Sequence, residues 1–332
     1  MPNPLSALVE KHAGPQFVPR AKRYVMGLAQ DFWKDGTENP FSSLSFSRLG
    51  KAPLAVLRKP KAGGKTAAAF SAVLQQAKKS KSLWSALPGE ISEKMWGEGS
   101  VTPGDKVITE ALFQPLGLNK DMAVLDLSSG LGDRMRHMVD ALGVYITGLE
   151  PDAAIAARGM EMSVRLGKKK HAEITAYDPE TFEVAKKYDC ILARETFYRV
   201  ANKNKFFKAL AECSKSGAQI AFTDYIVNPE DRDKPAILAW QKFEAGAKPL
   251  SLVETAEAWA KVGYTIRVHE DLTDFYKKEI KIGMQKLTAF LAKGLPPDDA
   301  TKKQIMKRVE TWARRMAAMD QGMKFYRFYG SR

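Results

Sequence analysis

The chain has 332 residues, 45% hydrophobic and 27% charged, with a net charge of +14. That length gives one large domain or two modest ones with an ample core, and the composition excludes collagen, a coiled-coil rod and wholesale disorder. No run approaches the roughly 20 apolar residues that span a bilayer. The two cysteines, Cys190 and Cys213, can make neither a disulfide framework nor a four-ligand metal site.

The N-terminus has no apolar leader core and is broken by Pro2, Pro4, Pro15 and Pro19, so a cytoplasmic setting is expected. Charge is uneven. Residues 1–99 carry 15 Lys/Arg against 7 Asp/Glu, residues 100–230 carry 17 against 18, and residues 231–332 carry 20 against 13. A near-neutral middle between basic flanks suggests a ligand-binding core with cationic surroundings.

Residues 1–94 read as a mostly helical extension or cap. Amphipathic pieces at 5–12, 22–32 and 67–77 alternate with linkers, and the basic, Gly/Pro-broken stretch 58–65 reads as a loop. From residue 121 short apolar runs alternate with helical stretches, the pattern of a parallel sheet with crossover helices. In chain order the expected elements are a strand at 123–127, a helix at 133–142, a strand at 144–149, a helix at 152–166 and a strand at 173–176. A strand at 190–193, a helix at 202–213 and a strand at 219–225 follow, then a helix at 253–262 and a strand at 264–268. Two long amphipathic stretches at 274–293 and 299–319 are separated by a break at 294–297, and the alternating aromatic run 324–329 reads as a last, antiparallel strand.

The run Val124-Leu-Asp-Leu-Ser-Ser-Gly-Leu-Gly-Asp133 is a strand ending in a Gly-x-Gly turn that opens a helix. Such a turn brings backbone N–H groups close to a ligand. Alone it suits NAD, FAD or no ligand. Three more strand ends carry polar groups: Glu150, which can accept both hydroxyls of a ribose; Tyr177-Asp178, whose carboxylate can accept from an adenine amino group; and Arg194-Glu195. In open α/β sheets ligands bind at these carboxyl ends. The dinucleotide pattern is incomplete, because Asp133-Arg134-Met135 follows Gly132 where a third glycine is required.

The residues Asp126-Leu-Ser-Ser-Gly-Leu-Gly132, Glu150 and Asp178 resemble the cofactor motifs of class I S-adenosylmethionine-dependent methyltransferases. The resemblance implies a Rossmann-like α/β sheet of seven strands, the last antiparallel, over residues 95–332, with a helical insertion at about 274–320. It implies S-adenosylmethionine as cofactor, with Ser128, Gly130 and Gly132 against the methionine part, Glu150 and Pro151 at the ribose, and Tyr177 and Asp178 at the adenine. Within that class, Trp96-Gly-Glu-Gly-Ser-Val-Thr-Pro-Gly104, Ala193-Arg-Glu-Thr-Phe-Tyr198 and Phe222-Thr-Asp-Tyr225 resemble phosphoethanolamine methyltransferases. The first segment is then a lid that brings Thr102 to the cofactor, joined by Arg194. Two features of that group are replaced. Its Tyr–His pair over the acceptor falls near Trp84 and at Arg199, and its phosphate cradle falls on 245–250, so a different acceptor is expected.

Methyl transfer from a sulfonium is an in-line displacement that needs alignment and exclusion of water. The expected acceptor pocket has Trp96, Tyr198 and Tyr225 as walls and Glu195, Arg194 and Arg199 at its mouth. Its guest is a small molecule with an amine, hydroxyl or thioether, suited to a carboxylate through Arg199. The basic flanks suit an anionic membrane surface as the alternative setting, and a homodimer is left open. No nucleic-acid partner is expected, since residues 193–196 lack the Asn/Asp-Pro-Pro-aromatic or cysteine motif of base-flipping enzymes.

Overall fold

The computed structural model describes residues 83–183, 186–294, 296 and 298–332. The N-terminal pieces at 5–12, 22–32 and 67–77, the basic loop 58–65, and positions 295 and 297 of the expected break lie outside the described residues.

Seven strands form one sheet: β1 (Ala123–Asp126), β2 (Tyr145–Glu150), β3 (Ala172–Ala176), β4 (Tyr188–Arg194), β5 (Ser214–Ile226), β6 (Thr265–Asp271) and β7 (Lys324–Ser331), in the order β3-β2-β1-β4-β5-β7-β6. The first five are parallel, and β7 runs antiparallel between β5 and β6. Among the described residues the α-helices are α1 (Glu90–Trp96), α2 (Asp105–Phe113), α3 (Asp133–Leu142), α4 (Ala153–Arg165), α5 (Lys203–Glu212), α6 (Pro235–Phe243), α7 (Leu252–Ala260), α8 (Thr273–Lys293) and α9 (Asp299–Met319). None of the described helices is long and apolar enough to cross a membrane.

Local chemistry sets several of these boundaries. The Asp152 carboxylate accepts from the N–H groups of Ala154 and Ile155 at 2.9 and 3.1 Å and caps α4. Ser251 and Glu254 form a reciprocal capping box on α7. The α3 helix opens on Gly132 at φ +80° with no side-chain cap.

Side-chain alternation along β5 divides the core. Ile220, Phe222 and Ile226 face a layer with Phe206, Phe207 and Trp259 of α5 and α7. Ala221 and Tyr225 face the opposite layer, which holds Tyr276, Ile280, Trp312 and Met316 of α8 and α9. A period of two therefore sends Tyr225 towards the long helices and Asp224 to the other face.

Both long helices lie between β6 and β7 in sequence. The first, α8, packs on α1, and the boundary expected after residue 94 falls inside α1. Trp96, the last residue of α1, meets Trp312 edge to face at 5.2 Å and lies directly over Gly283.

A Cβ at Gly283 would sit 1.7 Å from the Trp96 ring. Gly283→Ala adds about 1 kcal/mol of helix propensity, but it forces the indole out of a packed site at about 1–3 kcal/mol. The expected outcome is a lower thermal midpoint, read by circular dichroism.

Candidate active site

Four strand ends converge. After β1 the chain makes the turn Ser128–Gly132, in which Gly130 has φ +56° and Gly132 φ +80°. Side chains at either position would also collide. A Cβ would meet Val101 at 2.6 Å from Gly130, and Ile174 at 2.4 Å from Gly132. After β2 the half-buried Glu150 carboxylate accepts from the Gly130 N–H at 2.9 Å and the Asp152 N–H at 3.0 Å. Burial raises its proton affinity above that of an ordinary glutamate, against the lowering effect of those two N–H groups.

After β3, Tyr177 donates its hydroxyl to the Leu127 carbonyl at 2.9 Å, while the exposed Asp178 accepts from the Glu180 N–H at 2.9 Å. Pro151 is also exposed. After β4, the Arg194 N–H donates to Ser128 Oγ at 2.7 Å. Ser128, Gly130, Glu150, Tyr177 and the Arg194 N–H are thus tied together about the turn that follows β1. Around it, the buried hydroxyls of Thr102 and Ser129 have no hydrogen-bond partner.

The structure rearranges the expected acceptor residues. Glu195, expected at a pocket mouth, lies inside and only 6% exposed, in the left-handed region at φ +52°. A non-glycine residue held there costs about 1–3 kcal/mol. Its Oε2 accepts from the Tyr225 hydroxyl at 3.1 Å and from Arg315 Nη1 at 2.6 Å, and its Oε1 accepts from the Tyr276 hydroxyl. Arg194 turns its side chain the other way, donating to the Pro103 carbonyl at 2.9 Å and pairing with Asp105. Arg199 does face outward, with its side chain 56% exposed and Nη2 3.4 Å from Glu244 Oε2.

The hub of this cluster is Arg315. Its Nε and Nη2 bind the Glu244 oxygens at 2.6 and 2.8 Å, and Nη2 also donates to the Tyr198 hydroxyl at 2.7 Å. Its guanidinium lies over the rings of Trp312 and Tyr225 at 4.6 and 5.1 Å. Tyr198 stacks on Trp240 and meets Tyr225 edge to face. Burial raises the Glu244 proton affinity, but the charge and hydrogen bonds of Arg315 more than offset it, with Arg199 adding to them, and the carboxyl falls to about 2. Burial also holds the Tyr198, Tyr225 and Tyr276 phenols protonated. Tyr198, Tyr225 and Glu195 therefore share one polar cluster, and Trp96 joins it through Trp312.

Sequence reasoning missed Glu244, Tyr276 and Arg315, and also Asp105 and Arg134 at the crevice. The available signal for Arg315 is two adjacent arginines inside the apolar run Trp312 to Met319. On the opposite face of β5, Asp224 is fully buried and accepts from the Tyr225 and Tyr198 N–H groups at 2.8 and 2.9 Å. Burial pushes its carboxyl up to about 7.

Residues 105–269 match the family model described as a methyltransferase domain. The chain is 23% identical over 199 residues to phosphoethanolamine N-methyltransferase 1 of Zea mays, covering 58% of this chain and 38% of that one. It thus spans about four-tenths of the length of that curated relative. It is 21% identical over 196 residues to the phosphoethanolamine N-methyltransferase of Plasmodium falciparum, covering 72% of that protein. Its fold is that of phosphoethanolamine N-methyltransferase 2 of Haemonchus contortus, solved with phosphomonomethylethanolamine and S-adenosylhomocysteine (TM-score 0.62, 16% identity, 76% of this chain and 58% of that one).

Two outcomes follow from the buried charges. Arg315→Met leaves Glu195 and Glu244 without their shared cation, and a loss of about 3–5 kcal/mol in urea unfolding is expected. Asp224 has a raised folded-state pKa, so the native state holds an extra proton between the unfolded value of 3.8 and about 7. Its contribution to stability is present below that window and is lost as pH rises through it. The difference in unfolding free energy between wild type and Asp224→Asn should therefore change across pH 4–7 and level off above it.

Proposed function

We propose that this protein, whose residues 105–269 match a methyltransferase-domain family model, is a class I methyltransferase that transfers a methyl group from S-adenosylmethionine to a small-molecule acceptor. The observation that carries this reading is the convergence of the Gly130/Gly132 turn, Glu150, Tyr177-Asp178 and Arg194 at adjacent strand ends. The donor set suits the cofactor: a turn whose Gly130 and Gly132 have no room for side chains, a carboxylate for a diol, and buried hydroxyls on Thr102 and Ser129 with bonds to give.

In this reading Ser128, Gly130, Gly132 and Thr102 hold the methionine part, Glu150 and Pro151 the ribose, and Tyr177 and Asp178 the adenine, with Arg194 fixing the β4 end. When bound, the cofactor supplies an electrophilic methyl on a sulfonium. The chain's own work is alignment and exclusion of water. Trp96, Tyr198, Glu195, Tyr225 and Arg199 lie about Arg315 on the acceptor side. Glu195 accepts from two phenols and a guanidinium, which fixes the orientation of those groups. Aromatic faces there favour a cationic partner.

The acceptor is an amine, hydroxyl or thioether. The relatives named above bear the name of phosphoethanolamine. Here the position near their acceptor tyrosine is Trp84, buried and bonded to the Gly294 carbonyl at 3.0 Å, which supports a different acceptor. Two buried, free cysteines suit a reducing compartment and so the cytoplasm.

Calorimetric titration with S-adenosylhomocysteine and, separately, with NAD tests the reading. Micromolar binding of the first alone is expected. Binding of NAD alone overturns the proposal. In Glu150→Ala the affinity for S-adenosylhomocysteine should fall about tenfold or more, as expected for loss of charge-assisted bonds to the ribose.

A further inference from the structure

Arg134 stands two residues after Gly132, one before Met135, which takes the place of the third glycine of a dinucleotide turn. Its side chain is 8% exposed and folds back across the turn. Nε and Nη2 bind the two oxygens of Asp126 at 2.9 and 3.0 Å. Nη2 also donates to the Ser128 carbonyl and, at 3.0 Å, to Ser128 Oγ. Asp126 is fully buried, so its charge requires a cation beside it.

A second guanidinium completes the arrangement. Asp105, at the start of α2, pairs with Arg194 and lies 3.7 Å from Arg134 Nη1, while Arg194 Nη2 donates to the Pro103 carbonyl. The segment between α1 and α2 is thereby tied to the ends of β1 and β4, with Val101 resting on Gly130. The groups that the turn offers to a ligand already have internal partners. Ser128 O is held by Arg134, Ser128 Oγ by the Arg194 N–H, and the Gly130 N–H by Glu150.

The amino acid end of S-adenosylmethionine carries an α-ammonium. It is a cationic N–H donor, as the Arg134 guanidinium is, and suits the same carbonyl and the same buried carboxylate. We propose that Arg134 is an internal competitor for the ammonium of the cofactor and so a determinant of cofactor affinity. Binding exchanges one cation for another at Asp126 and Ser128, and loosens the tie to Asp105. The apparent affinity is the intrinsic one multiplied by the fraction of molecules in which Arg134 is displaced, so the more firmly Arg134 is held the weaker the binding. This inference rests on the cofactor reading of the crevice given above.

The test compares S-adenosylhomocysteine, which has the amino acid end, with 5′-methylthioadenosine, which lacks it, by calorimetry on wild type, Arg134→Gly and Arg134→Gln. The glutamine variant keeps the bulk without the charge and serves if the glycine variant does not melt cooperatively. The expected result is S-adenosylhomocysteine binding at least tenfold tighter in the variants, with 5′-methylthioadenosine changed by less than about twofold. Equal or weaker S-adenosylhomocysteine binding would mean that Arg134 is neutral or holds the cofactor carboxylate, and would overturn the proposal while leaving the cofactor assignment standing. Equal tightening of both ligands also overturns it, since Arg134 would then only fill space. If none of the folded proteins binds either ligand, the cofactor reading fails and this inference with it.

Discussion

The Arg315 guanidinium is the contact on which the polar cluster of Glu195, Tyr198, Tyr225 and Glu244 depends. It is contributed by α9, one of two helices inserted between β6 and β7, yet its partners Glu195 and Glu244 belong to the loops that follow β4 and α6. Two buried carboxylates cannot share a low-dielectric space without a cation, and a buried guanidinium cannot remain without them. The helical pair is therefore held to the sheet by electrostatic necessity as well as by the apolar packing of Trp312 and Met316. The aromatic rings around the group are positioned by the same bonds, since the Tyr198 and Tyr225 hydroxyls both contact Arg315.

The strand ends about the Gly130/Gly132 turn follow the same logic with different residues. Asp126 and Asp105 supply the charge, and Arg134 and Arg194 answer it. Each arginine spans chain segments that are apart in sequence, so the strand ends, the turn and the start of α2 form one network. Burial favours the neutral form of Arg134, but Asp126 and Asp105 more than reverse that effect.

The sheet was legible in the sequence because β1, β4 and the later part of β5 are buried and read as apolar runs. The bounds of α3 agree with the expected 133–142, since a glycine starts it and Gly143 ends it. The short helices α1, α2 and α6 were not legible. They span two or three turns bracketed by glycine or proline, too short to show a clear period. The candidate site residues at strand ends could be found because strand order and turn chemistry are local properties. Their partners could not. Arg315 and Glu195 lie 120 positions apart, and no local pattern records a charge paired over such a distance. The burial of Glu195 could not be read for that reason, since only the tertiary structure supplies its guanidinium and two phenols.

The place of β7 has a consequence for the order of assembly. Among the described residues strand β6 pairs with β7 alone, with Thr265 opposite Ser331, so its hydrogen bonds remain open to water until the two long helices and β7 have been made. During synthesis the parallel strands β1 to β5 can pair as they emerge, while β6 must wait for a distant partner. That is a high-contact-order closure, slow by its nature. In the interval β5 also presents an unpaired edge carrying Phe222 and Tyr225, a surface open to pairing with other chains before the native strand arrives.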